Sequence, residues 1–408
     1  MFAQLKKCDP IKVLGWVQFF NALGLFLLIT LLALLLLEAP FVFESTWIAI
    51  IVGIYAFTCH AFEPLTASFA KKFSFRNSLA VGGIICSSSL LTCVVFSTPI
   101  FCLTTLLFFS WGRSLVSLTI KLRISEIEED EKRLLGFGRN YRIANIAAGI
   151  TPVFAFWIDY TKHVKEIFIM TSGFVLLGAI ISFLFLDNSK VTKAEATIAN
   201  KSSWPEGLGE VTKVAVYYFI LFYGVFCTFQ INLTPFFLKK FSHIPFYFGY
   251  ILAINPVLVV LFQKKVSKFY GKYFKNNDQG YIYVFLAISL AFASLSIGCY
   301  SIMIVLFVVF LTIAEMIIFS TIDYSITKTT KKLYHPFLLS LNGIMIAIGR
   351  SFAEGGGIYG LSYISRLQYS GAYWWRINFL ISVVVFVVFL FILFGNYKSA
   401  KSAQCATV

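Results

Sequence analysis

Apolar runs of about 20 residues alternate with short polar loops from one end of the chain to the other, and each run is long enough to cross a bilayer as a helix. The pattern predicts twelve spans: Leu14–Leu37, Thr46–Thr66, Asn77–Phe96, Pro99–Ile120, Gly136–Ile158, Ile167–Leu186, Val214–Phe237, Phe246–Phe262, Tyr281–Tyr300, Ile302–Tyr324, Pro336–Tyr363 and Ile377–Phe394. These runs exceed the length of barrel strands and lack strict alternation, so only helices would satisfy their backbone groups in lipid. The longest polar gap follows the sixth span. It predicts an amino-terminal unit of residues 1–186, a linker over 187–213 and a carboxy-terminal unit of residues 214–408 that ends in a short tail.

Composition narrows the classes. With 59% hydrophobic and 13% charged residues, no segment can build a sizeable soluble domain. The formal charge of +15 is distributed by loop rather than by face: Lys6, Lys7 and Lys12; Lys71, Lys72 and Arg76; Lys121, Arg123, Lys132 and Arg133; Lys190, Lys193, Lys201 and Lys213; Lys264 to Lys275; Lys328, Lys331 and Lys332; and the tail. The intervening loops Glu38–Ser45 and Ser97–Pro99 carry no basic residue. The positive-inside rule then places both termini in the cytoplasm and accounts for the charge without nucleic acid; the expected membrane is the inner (plasma) membrane. The first apolar run is too long for a secretory signal, and Leu37-Glu38-Ala39-Pro40 is a poor cleavage site, so it reads as a retained helix.

Little conventional catalytic chemistry is visible. The cysteines show no metal spacing and fall mostly inside or at the ends of spans, where small packing thiols are expected. His60, His163, His243 and His335 are scattered, which disfavours a lipid-modifying enzyme. A phosphate-cradling Gly-x-x-x-x-Gly-Lys-Ser/Thr is absent, so energy is expected from an ion gradient. The expectation is no enzyme, no cofactor and no metal.

The two units echo one another after their second spans. Phe69-Ala70-Lys71-Lys72-Phe73-Ser74-Phe75-Arg76 matches Val266-Ser267-Lys268-Phe269-Tyr270-Gly271-Lys272-Tyr273 in the order of small, basic and aromatic residues. Duplicated six-helix units are the pattern of transporters that rock two bundles about a central site. With these loops the chain resembles the major facilitator superfamily over essentially its whole length. Both are degenerate copies of that family's signature, with Lys71 and Lys268 where it usually has Asp, Ser74 for the first Gly, and Gly271 retained. Lys132-Arg133-Leu134-Leu135-Gly136-Phe137-Gly138, running on to Asn145, Gly149, Thr151 and Pro152, is similar to the entry into its fifth helix. Gly249 to Asn255 with Gln263, and Thr312-Ile313-Ala314-Glu315-Met316, resemble bacterial drug or metabolite:proton antiporters. The resemblance implies an all-α membrane fold of two pseudo-symmetric six-helix bundles, working by alternating access.

Ionisable residues deep in spans need partners, water or a function. Glu315 lies about 20 Å into its span, counting 1.5 Å per residue, and is a candidate for proton coupling or solute contact, with a structural hydrogen bond as the bland alternative. Arg113 is similarly deep; it can bind an anionic substrate or pair with a carboxylate. It resembles the intramembrane Arg of the family's fourth helix, although the usual Gln-Gly after it is missing. Arg350 and Glu354 share one helix face and are expected to neutralise each other. His60 and Glu63 can join a proton path, with Glu63 near enough to the cytoplasm to be simply hydrated, and Asp323 completes the set. Gln18, Asn21, Gln230 and Asn232 are cavity candidates, with interhelical hydrogen bonding equally open; Phe19 and Phe20 are candidate aromatic wall. Gly355, Gly356 and Gly357 are a candidate gate hinge or a close-packing surface. Lys71, Lys72, Arg76, Lys268 and Gly271 are gating candidates, the first three against the acidic run Glu126 to Glu131.

The expected function is secondary active transport, proton-coupled, with efflux of small amphipathic drugs or metabolites favoured, a siderophore-like product among them. Nutrient uptake is the alternative, followed by a non-transporting sensor. The expected partners are a small-molecule solute, a proton or other coupling ion and the lipid bilayer, with the chain a monomer.

Overall fold

A computed structural model describes residues 10–158, 162–189, 247–274, 277–298, 301–366 and 371–405, and these form long helices joined by short loops. In chain order they are α1 Pro10–Leu35, α2 Ser45–Ala61, α3 Glu63–Lys72, α4 Phe75–Val95, α5 Pro99–Ser125, α6 Asp130–Trp157 and α7 Val164–Phe185; then α8 Tyr247–Tyr273, α9 Asn277–Ile297, α10 Ser301–Thr329, α11 His335–Arg366 and α12 Gly371–Cys405. Every expected span except Val214–Phe237 has its helix. That span and most of the linker lie outside the described residues.

Local chemistry sets several boundaries. The Ser74 hydroxyl accepts from the Asn77 backbone N–H at 3.3 Å and starts α4. Thr98 caps α5 in the same way at 3.4 Å, with Pro99 in the first turn, where a missing N–H costs nothing. Two boundaries correct the expectation. The second span is not one helix: it breaks at Phe62, because Pro64 has no N–H to continue the ladder and its ring opposes the carbonyl one turn back. The fourth span does not stop at Ile120 but continues to Ser125, which draws Lys121 into the helix.

Eight stretches are long and apolar enough to cross a membrane: those of α1, α2 with α3, α4, α5, α7, α9, α10 and α12. The chain is a multi-pass membrane protein. The helices α6, α8 and α11 carry polar residues along their length, and their packing accommodates them. The first-half helices meet the second half along α2 and α3 against α11, and along α6 against α8. Helices on such a seam face other helices and a cavity, so polar residues do not meet lipid. Small residues bring the seam close: on α6, Gly138 faces Ser267 and Gly149 faces Pro256 of α8. Two large apolar cores flank the seam. One packs Tyr55, Phe109 and Phe168; the other packs Phe292, Phe307, Trp375 and Phe389, and takes in Leu115, Leu118 and Leu122 of α5 beside the second-half helices.

Candidate functional site

Between the seams lies a cavity of about 210 Å³, lined from α1, α2, α5, α6, α8, α10 and α11. Its apolar wall includes Leu25, Phe26, Ile29, Phe137, Phe319 and Ile346, and its charged residues fall into two clusters and one further cation.

The first cluster is an ionic chain across the seam. The Arg350 Nη1 lies 3.3 Å from His60 Nε2, and a guanidinium can only donate, so that ring nitrogen accepts. The other nitrogen, Nδ1, then carries the proton and donates to Glu63 Oε1 at 3.1 Å, which assigns the tautomer from its partners. Glu63, placed at the α2–α3 break and fully buried, also faces Lys121 Nζ at 3.6 Å. Lys121 in turn lies 3.9 Å from Asp323 on α10, whose other carboxylate oxygen accepts from Asn342 Nδ2 at 3.2 Å. One lysine therefore serves two carboxylates, Glu63 from its own half and Asp323 from the other. Gly343 on α11 makes room, since a Cβ there would collide with the Glu63 carboxylate.

The second cluster is neutral apart from one acid. Glu315 on α10 is buried, with 6% of its surface exposed. Its carboxylate accepts from Asn255 Nδ2 on α8 and lies against the Tyr141 hydroxyl on α6. A titratable group is thus held jointly by the two sides of the α6–α8 seam. Tyr141 also stacks on Phe319, with ring centroids 4.9 Å apart.

Arg113 is the further cation. It lines the cavity, its Nε is buried without a hydrogen-bond partner, and among the described residues no carboxylate lies at ion-pair distance from it, although Glu63 feels its charge at longer range.

The remaining expectations divide. Gln18 lines the cavity, whereas the Asn21 amide donates to its own helix at Val17 O, 2.8 Å away, and packs against Gly178. Phe19 and Phe20 pack with Trp16 rather than forming the cavity wall. Gln230 and Asn232 lie outside the described residues, as do the side chains of Lys71 and Glu354, so the Arg350–Glu354 pair has no described geometry. Residues 355–357 continue α11 without a break. Lys72 is exposed, and Arg76 lies over the Phe183 ring at 5.4 Å. Lys268 is exposed near the end of α8, where Gly271 faces Leu134 of α6. The acidic run has other described partners: Glu129 pairs with Lys132 at 2.7 Å, Asp130 with Arg133, and Glu128 with Lys332 of the second half at 4.0 Å. Glu63 is buried and paired, which corrects its reading as a hydrated end charge. The sequence pattern places Lys121 among the loop cations and Asn255 within a motif, and carries no signal for Tyr141 or Asn342. A helix extended past Ile120 is the one signal that would have found Lys121.

The whole-chain comparisons agree with this architecture. Residues 14–354 match the model of the Major Facilitator Superfamily, and the chain belongs to that family. No curated protein sequence matches it. Among solved structures it is similar to a POT family transporter in complex with a thioalcohol-conjugated peptide, with a TM-score of 0.72 and 15% identity over 95% of this chain and 96% of that one. It is also similar to the human organic anion transporter MFSD10 (TM-score 0.71, 12% identity, 93% and 98% covered) and to the nucleoside transporter NupG (TM-score 0.62, 17% identity, 94% and 99% covered). At these identities the likeness establishes the fold. The chain is a secondary transporter and not an enzyme.

Proposed function

We propose that this protein is a proton-coupled secondary transporter of small amphipathic solutes, built as twelve spans in two six-helix bundles, residues 1–186 and 214–408, joined by a cytoplasmic linker. Both termini lie in the cytoplasm, the membrane is the inner (plasma) membrane, and the working unit is a monomer. The observation that carries the reading is Glu315, a buried carboxylate in the central cavity that accepts from the Asn255 amide on one side of a seam and lies against the Tyr141 phenol on the other. Such a group can take or release a proton as the seam opens and closes. The Lys121 bridge supports alternating access, because separating α5 from α10 would deprive Asp323 of its lysine. Gly355, Gly356 and Gly357 are the proposed hinge on the cavity-lining helix α11.

Efflux is the direction favoured by the resemblance to antiporters. Proton-coupled uptake is the second reading, and the placement of Arg113 favours it, as developed below. The test is purified protein in liposomes, with solute and proton flux followed under an imposed pH gradient. Solute movement that ignores the gradient in both orientations would exclude proton coupling.

A further inference from the structure

Arg113 and Glu315 stand at the same depth on opposite sides of the cavity. Tyr141 of α6 lies beside Glu315, and Arg133, two turns earlier on α6, lies beside Tyr324, so α6 and α10 run antiparallel. A short turn over 126–129 makes α5 and α6 antiparallel as well, so α5 and α10 run in the same direction. Lys121 on α5 meets Asp323 on α10. Eight residues before each of these come Arg113 and Glu315, both about 12 Å further along their helices. The equal offsets put the two residues at one level, and both face the same space.

From this we infer that the transported solute is an organic anion with an apolar body, its carboxylate or other acidic head seated on Arg113 and its body against Phe26, Phe137 and Phe319, and that it is carried together with a proton on Glu315. The inference rests on the proton-coupled reading and specifies both the solute class and the direction of coupling. A buried guanidinium with no carboxylate at ion-pair distance among the described residues, and only the longer-range field of Glu63 to offset it, can grip an acidic group in charge-assisted hydrogen bonds. Lys121, the other cation that α5 presents to the cavity, is already shared between two carboxylates, and Arg350 is directed at His60. Glu315 needs no cation, because Asn255 and Tyr141 serve it.

An anion on Arg113 therefore shares the cavity with Glu315 across from it. A charged Glu315 repels that anion and a protonated one does not, so anion and proton each favour the other's binding, reciprocally. The titratable and charged groups that face this space are Tyr141 from α6, His60 from α2, Arg113 and Lys121 from α5, Asp323 from α10 itself and Arg350 from α11, with the Asn255 amide of α8 on Glu315. Glu315 is the carboxylate among them without a cationic partner. Solute and proton then travel in the same direction, which with an inward proton gradient means uptake.

The experiment is isothermal titration of the purified full chain with three matched probes: a naphthyl carboxylate, its primary amide and the corresponding primary amine. The carboxylate is expected to bind at least about tenfold more tightly than the amide, equivalent to about 1.4 kcal/mol, and the amine most weakly. Arg113→Gln should erase the preference and Arg113→Lys should keep part of it. Glu315→Gln should keep tight carboxylate binding and remove its weakening with rising pH. Equal or tighter binding of the amine or amide, a preference that survives Arg113→Gln, or no saturable binding of any probe overturns the inference. Proton-driven flux of a neutral or cationic solute alone would do so while leaving the proton-coupled reading intact. Carboxylate preference without proton flux would uphold the solute class and overturn the coupling, together with the proton-coupled reading.

Discussion

Two acidic sites lie about 12 Å apart along α10, and they are neutralised in opposite ways. Asp323, with Glu63, shares a buried lysine; Glu315 is held by an amide and lies against a phenol. The difference decides which site can change its proton cheaply. Protonating Glu63 or Asp323 removes a counter-charge from Lys121 in a low-dielectric setting, and breaking a buried ion set is strongly unfavourable. Protonating Glu315 leaves no cation stranded, and its carbonyl oxygen still accepts. One site is therefore suited to locking the two halves together and the other to carrying the proton.

The largest effect should come from taking away the shared cation. Lys121→Met leaves two buried carboxylates facing each other and is expected to cost roughly 3–5 kcal/mol, seen as a marked fall in the thermal midpoint of the purified protein. Adding Glu63→Gln and Asp323→Asn to that variant should recover most of the stability. If Lys121→Met is neutral, the ionic cluster is not a lock and the contrast with Glu315 collapses.

A smaller loss is expected where α11 makes room for the cluster. Gly343→Ala sets a methyl group into the Glu63 carboxylate, and overpacking of this kind costs about 1–3 kcal/mol. Glu63→Ala in the same chain should relieve part of it. A double-mutant cycle with no coupling would mean that the two residues do not touch.

Smallest is the surface bridge between the halves, Glu128 to Lys332 at 4.0 Å, with both side chains well exposed. Lys332→Glu is expected to shift the accessibility of cysteines introduced on that face by up to about 1 kcal/mol, and high salt should blunt the shift. A salt-insensitive change would point to packing rather than charge.

How much of this was legible from the sequence follows from what hydropathy can register. Glu315 and Arg113 stand out because each interrupts a long apolar run near its middle, and both line the cavity. Lys121 and Glu63 sit near span ends, where a charge normally reaches water, so their burial emerges only once α5 is seen to continue to Ser125 and Pro64 is seen to bend the chain at Glu63. The Arg350–Glu354 spacing pointed to a pair within one helix, whereas Arg350 also reaches His60 on α2. Tyr141, Asn255 and Asn342 are neutral and barely disturb hydropathy; their importance lies in which carboxylate each one faces, and that depends on how helices remote in sequence meet. The helices themselves were readable almost throughout, because lipid imposes length and apolarity on each span independently of its neighbours.

The claim that Glu315 carries the proton while the lysine-bridged carboxylates do not is tested most directly by proton flux in liposomes. Wild type, Glu315→Gln and the Lys121→Met/Glu63→Gln/Asp323→Asn variant would be reconstituted at equal density, and solute-dependent proton movement recorded with an entrapped pH dye beside solute exchange. Glu315→Gln is expected to lose solute-dependent proton movement while retaining solute exchange, and the triple variant to retain proton movement. Proton movement at the wild-type rate in Glu315→Gln, or its loss only in the triple variant, would contradict the account.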